Sequence, residues 1–193
     1  MSSRIRFSTA RDVGAAFSEL RRIAPAPDDP SAPLDHVRRL LASRRSIDAI
    51  TFLAFLLPRR EAVWWARQCV GAILGPAGED DALRAADAWV RAPEDERRRA
   101  ALGLGAAGDA RRPTTWLARA AGFSGGSVAP PDQTPRPAPP SACAQAAKAA
   151  IVLAITQSPP PTIAGRIRAC VEAGVRFAEG GDARVVGPTA GGQ

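Results

Sequence analysis

The sequence predicts an all-α protein, with eight to nine short helices in a compact irregular bundle or a helix-pair, repeat-like array. Three observations predict it. Apolar residues recur at helical spacing in nearly every segment, and no segment alternates apolar and polar with β-branched enrichment. Tyrosine is absent and aromatics make up only 5%, so alanine and leucine must build a core of closely packed helices. Prolines and glycines fall between the periodic stretches, where they stop or start helices. At 193 residues and 46% hydrophobic, the chain is long enough for one domain with a real core. We assign residues 1–8 as a flexible N-terminus, 9–181 as one helical domain with a proline-rich connector at 124–140, and 182–193 as a disordered tail.

The elements follow in chain order. Thr9 to Arg22 is amphipathic, with Val13, Ala16, Phe17 and Leu20 on one face. It stops at the proline-rich loop APAPDDPSAP. Ser31 can cap the next helix, whose apolar face is Leu34, Val37, Leu40 and Leu41. Ser46 can cap IDAITFLAFLL, which is apolar almost all round and so is expected to be buried. Pro58 ends that helix and opens Arg59 to Leu74, which Gly75-Pro76 stops. Glu79 to Arg91 follows, with Asp80 and Asp81 in the first turn. Ala92-Pro93 then breaks the chain as Leu57-Pro58 does. The helix PEDERRRAALGLGAA places acids before arginines, as the helix dipole favours. Pro113 opens TTWLARAAGF. After the connector, Ser141 can cap an alanine-rich helix to Gln157, and a last helix runs from Thr162 to about Glu179. Arg4 to Phe7 and Val185-Val186 are the only candidate strands. The joints LLPRREAVWW and VRAPEDERRRA resemble each other, with prolines 35 residues apart, which suggests helix pairs.

Composition narrows the function. The net charge of +7 is carried by 25 arginines and one lysine. A solvated surface accounts for it most simply; a nucleic acid or an acidic partner is the alternative. Cys69, Cys143 and Cys170 form no CxxC pair and sit in helical patterns, where cysteine behaves as a small apolar residue. With no secretory signal, they point to a reducing, cytoplasmic setting. The most apolar run, Ala49 to Leu57, is too short to span a bilayer, so no membrane partner is expected.

No catalytic, cofactor-binding or metal-ligating residues are assigned. His36 is the only histidine, beside Asp35, and is expected at the surface or on a helix flank. One histidine and three scattered cysteines do not make a metal site. No phosphate-binding glycine loop or nucleophile elbow is present. The loop SGGSVAPP offers backbone N–H groups that could form an anion nest, or it simply turns the chain into an extended, stiff connector.

Trp64 and Trp65 are adjacent, so they point about 100° apart on one helix. A helical wheel centres the buried face on Ala62, Ala66, Cys69 and Ile73. It puts Trp65 at the edge of the core, and Trp64 on the polar face between Arg60, Arg67, Gln68 and Gly71. Either another part of the chain covers Trp64, or it is an exposed anchor for a partner. Trp89 and Trp116 are expected in the core. The candidate interaction surface is therefore Arg60, Trp64, Arg67 and Gln68 with the loop Ser124, Gly125, Gly126 and Ser127.

Through LPRREAVWWA, DAWVRAPEDERRRAA and SGGS-x-APP, the chain resembles an uncharacterised proteobacterial family, domain of unknown function 6931, over about Ile47 to Gly181. The family pattern has a histidine where this chain has Phe55, and a tryptophan near Gly122-Phe123. Those departures speak against a catalytic histidine here. The family has no established catalytic residues, so none carry over. Its genes lie near type VI secretion loci, which implies a secretion-system component or effector as partner. The expectation is a non-enzymatic, cytoplasmic helical interaction module, an adaptor or chaperone-like accessory protein. The alternative is an arginine-rich nucleic-acid-binding protein using Arg38-Arg39, Arg44-Arg45, Arg97 to Arg99 and Arg111-Arg112.

Overall fold

A computed structural model describes residues 3–24 and 29–186. Ten α-helical segments lie within the described residues, and no strands. They are α1 (Ala10–Ala16), α2 (Leu20–Ile23), α3 (Pro33–Ala42), α4 (Ser46–Leu56), α5 (Arg59–Leu74), α6 (Asp81–Arg91), α7 (Asp95–Ala107), α8 (Pro113–Gly122), α9 (Ala142–Thr156) and α10 (Pro160–Ala178). The all-α expectation holds. Arg4 to Phe7 and Val185-Val186 form no strand; the one isolated bridge joins Ser127 to Pro137 in the connector.

The proline joints are as expected. Leu57 and Ala92 close α4 and α6 with extended backbone, because a following proline disfavours the helical region. Several local details differ. Thr9 to Arg22 is two helices: α1 stops at Phe17, whose backbone is extended. This turns the Phe17 ring onto Phe7 and Phe55, at centroid distances of 6.4 and 5.1 Å, so ring packing outweighs helical periodicity. Ser31 does not cap α3, whose cap position is Ala32; its N–H instead donates to Asp29 at 2.9 Å. Ser46 is inside α4, after Arg45. Ser141 occupies the α9 cap position but bonds Glu19 and Gln145. Side-chain caps do form at Thr9, which accepts from the Asp12 N–H, and at Asp80, which accepts from the Leu83 N–H.

α4 is buried on all sides, as its all-round apolar sequence predicts, and packs on α3, α9 and α10. α9 also packs on α5 and α8, while α6, α7 and α8 form a second close group. Alanine permits this closeness, and at Gly122 it is obligatory: a Cβ there would lie 2.7 Å from the Leu102 Cα. Cys69, Cys143 and Cys170 are free and buried. Burial pushes the Cys69 thiol well above its ordinary value, helped by a hydrogen bond with Cys170, and pushes Cys143 up to about 12.

Arg4 is tied to the domain. The Arg4 N–H donates to the Ala178 carbonyl at 2.9 Å, and its guanidinium stacks on Phe177 at 4.2 Å and bonds the Gly181 carbonyl. Beyond α10, Ala183 is buried and Val185 packs on the core. The rest of the assigned tail, 187–193, lies outside the described residues.

Candidate interaction site

The site begins at Pro58, which starts α5 and sends two consecutive side chains, Arg59 and Arg60, to different neighbours. Arg59 donates to the Ser124 carbonyl at 3.0 Å. Arg60 donates from Nε to the Val90 carbonyl at 2.8 Å and so satisfies a backbone oxygen at the end of α6. Glu61 lies in the first turn, where the helix dipole favours an acid.

Trp65 is not at the edge of the core. It is fully buried, and its Nε1 donates to the Cys170 carbonyl of α10 at 2.9 Å. The wheel placed the centre one sector away because it could not include α10. Ile73, expected at that centre, is only partly buried. Trp89 is in the core as expected, but Trp116 is half-exposed. Its indole donates to the Ala110 carbonyl at 2.8 Å, and Arg119 stacks on it at 4.7 Å.

Trp64 is half-buried. One side packs on the core and the other lines a cavity of about 340 Å³ with Arg4, Arg60, Glu61, Val90, Arg91 and Phe177. Arg67 turns away to Asp87, which Arg91 also contacts at 2.8 Å. The Arg67 Nε and Asp87 Oδ1 are buried and 2.9 Å apart but out of line, so this is a charge contact more than an aligned hydrogen bond. Gln68 is partly exposed on the same helix.

The loop from Ser124 to Ser127 is not part of that cavity's wall. It is held from α7 by Arg98, which is 3% exposed. Arg98 donates to the carbonyls of Gly122 at 2.9 Å and Ser127 at 3.0 Å, and to Asp95 at 2.7 Å. Gly126 has φ +58°, and a Cβ there would meet Arg98 Nη2 at 2.9 Å, so glycine is required on both counts. Ser127 Oγ accepts from the Ala129 and Arg136 N–H groups, pinning the connector to itself. The loop turns its carbonyls toward arginines, an arrangement that anchors the chain. The helical and loop halves of the candidate surface are thus two neighbourhoods, joined through successive residues Arg59 and Arg60. Sequence reading did not single out Arg98: it stands in a run of three arginines that looks solvated, and its partners lie 24 and 29 residues away.

His36 is also not where it was expected. It is 5% exposed, packed on Phe52 at 4.7 Å, with Nδ1 3.0 Å from Asp29. Asp35, its neighbour in sequence, pairs with Arg38 instead. Asp29 also meets Arg39 and the Ser31 N–H. The Ser31 hydroxyl and N–H, then His36 and Arg39, hold its carboxyl well below the usual range. His36 lines neither the Trp64 cavity nor the larger groove described below.

The chain belongs to a family of unknown function (DUF6931). The match covers residues 36–178, so it starts at His36, earlier than the resemblance alone suggested, and ends with α10. It includes both tryptophan neighbours of α5, the Arg98 anchor and the whole connector. No curated protein and no solved structure matches the chain. Among the described residues, no helix is long and apolar enough to cross a membrane, and no group of three or more histidine, cysteine or acidic side chains is placed to hold a metal ion.

Proposed function

We propose that the chain is a non-enzymatic protein-interaction module of the cytoplasm, an adaptor or chaperone-like accessory protein. One observation carries this reading. Trp64 is left half-open in a cavity whose rim is Arg4, Arg60 and Arg91, a combination of aromatic and arginine that dominates binding hot spots. The gene context implied by the family resemblance favours a secretion-system component or effector as the partner. Tagged wild-type and Trp64→Ala proteins, both checked for unchanged helicity, are used to capture partners from the native host. The variant should lose at least one partner by more than about 10-fold, a hot-spot-sized effect. Identical partner profiles would show that Trp64 is only a core-edge residue.

The nucleic-acid alternative has weaker support. Of its arginine pairs, Arg38, Arg39, Arg45, Arg97, Arg99 and Arg112 are ion-paired within the chain, and Arg98 is buried. It requires steeply salt-dependent binding of a labelled oligonucleotide, detectable at about 50 mM salt.

A further inference from the structure

A groove of about 600 Å³ runs between α3 and α10, on different residues from the Trp64 cavity. Val37 and Leu41 from α3, and Val171 and Val175 from α10, face it; Leu41 and Val175 are partly exposed, and Val37 and Val171 are buried beneath them. In each helix the two residues are four apart, so they stack on one face and leave a furrow between two ridges. Four arginines, Arg38, Arg44, Arg168 and Arg176, and a single glutamate, Glu172, line the groove.

The arginines are not equivalent. Arg38 is paired with Asp35 and Glu179, and Arg176 bonds the Arg184 carbonyl. The Arg44 and Arg168 side chains are exposed and have no ion pair or hydrogen bond among the described residues. Charge at one end of the groove is therefore unspent.

Arg44 is also in an unfavourable conformation. It is the one non-glycine among the described residues with positive φ, at 59°. The chain closes α3 with bonds from the Arg45 N–H to the Leu40 carbonyl and from the Arg44 N–H to the Leu41 carbonyl. It closes α10 with the same pattern, from Gly181 to Arg176 and from Gly180 to Phe177. There the left-handed position is Gly180, with φ 101°, as helix ends prefer. An arginine in that position of α3 is strained, and such strain points to a use for the side chain.

We propose that the α3–α10 groove binds an acidic amphipathic helix of a partner protein, with Arg44 and Arg168 as its anion contacts. The apolar ridge of the ligand lies on Leu41 and Val175, the partly exposed pair. Arg176 is held by the Arg184 carbonyl, so the ligand's carboxylates are needed at the end of the groove where Arg44 and Arg168 stand. The inference rests on the reading of the chain as an interaction module but not on the Trp64 surface.

The probe is a fluorescein-labelled, alanine-based helix of about 16 residues, with leucines at i, i+4 and i+7 flanked by glutamates. Its control carries lysine in place of glutamate. Anisotropy should give the acidic probe a Kd on the order of 10–100 μM and the lysine control at least about 10-fold weaker binding. Arg168→Ala and Arg44→Gly should each weaken the acidic probe about 5-fold, and together by more than about 10-fold. Arg44→Gly should at the same time raise Tm by roughly 2 °C, which separates lost binding from lost folding. Trp64→Ala should leave probe affinity within about 2-fold. The proposal is overturned if the acidic probe does not bind, if the lysine control binds as well, or if neither arginine variant weakens binding. It is equally overturned if Trp64→Ala costs as much as Arg168→Ala, or if a single-stranded oligonucleotide displaces the probe at lower concentration. Any of these results leaves the Trp64 capture experiment independent.

Discussion

Two regions of this protein are lined with arginine and use it in opposite ways. At the start of α7, Arg98 is buried and its donors go to Asp95 and to the carbonyls of Gly122 and Ser127. Along the α3–α10 groove, Arg44 and Arg168 face solvent without partners among the described residues. A buried guanidinium must be satisfied on every side, so Arg98 acts as a structural bolt for the connector. An exposed one costs little to leave free, so it remains available for a ligand. The lesson is that arginine count says little about function; the number of donors still unused says more.

The comparison can be broken by stability measurements. The largest effect is expected for Arg98→Ala. It leaves the carbonyls of Gly122 and Ser127 without that donor, while Asp95 keeps Arg99, and should destabilise the fold by about 3 kcal/mol. That lowers Tm by roughly 6–12 °C in thermal denaturation. Arg168→Ala should change stability by less than about 0.5 kcal/mol. Equal losses in the two variants would erase the distinction between the regions.

A smaller, pH-dependent effect belongs to the other end of α3. The Asp29 carboxyl is held below its ordinary value of 3.8 in the folded chain, chiefly by Ser31. Its contribution is therefore complete above pH 3.8 and is lost as the pH falls below that toward the folded value. Acid unfolding of Asp29→Asn should show a shallower loss of stability below pH 3.8 than wild type, and an unchanged slope would remove this linkage. The remaining effect is a gain. Arg44→Gly relieves the left-handed backbone at φ 59° and should stabilise by about 0.5–1 kcal/mol in chemical denaturation. A loss of stability would mean that Arg44 has a structural role like that of Arg98.

Much of the fold was legible locally. The Pro58 and Pro93 joints, the span of α5, the all-round burial of α4 and the glycine end of α10 depend on residues within about one helical turn of each other. The candidate surface was legible only in part. The wheel separated Trp64 from Trp65 correctly in direction, yet it placed Trp65 at the core's edge, because burial depends on α10 more than 100 residues away, where Cys170 accepts the indole N–H. Ser31, Ser46 and Ser141 are good cap residues on local grounds, and tertiary partners or a one-residue shift of the helix start took them elsewhere.

The sequence by itself determined that this chain is helical, where most helices break, and that alanine and leucine must form its core. Those properties follow from backbone propensity, proline geometry and 3.6-residue periodicity, all of which act over a few residues. Only the tertiary structure decided which charged and aromatic side chains are spent on the fold. It buried His36 on Phe52 beside Asp29, closed Arg98 over the connector, brought Cys69 to Cys170, and left Trp64, Arg44 and Arg168 open. The reason is physical: a donor or a ring face is used up by whatever surrounds it in space, and for these residues the surroundings come from distant parts of the chain.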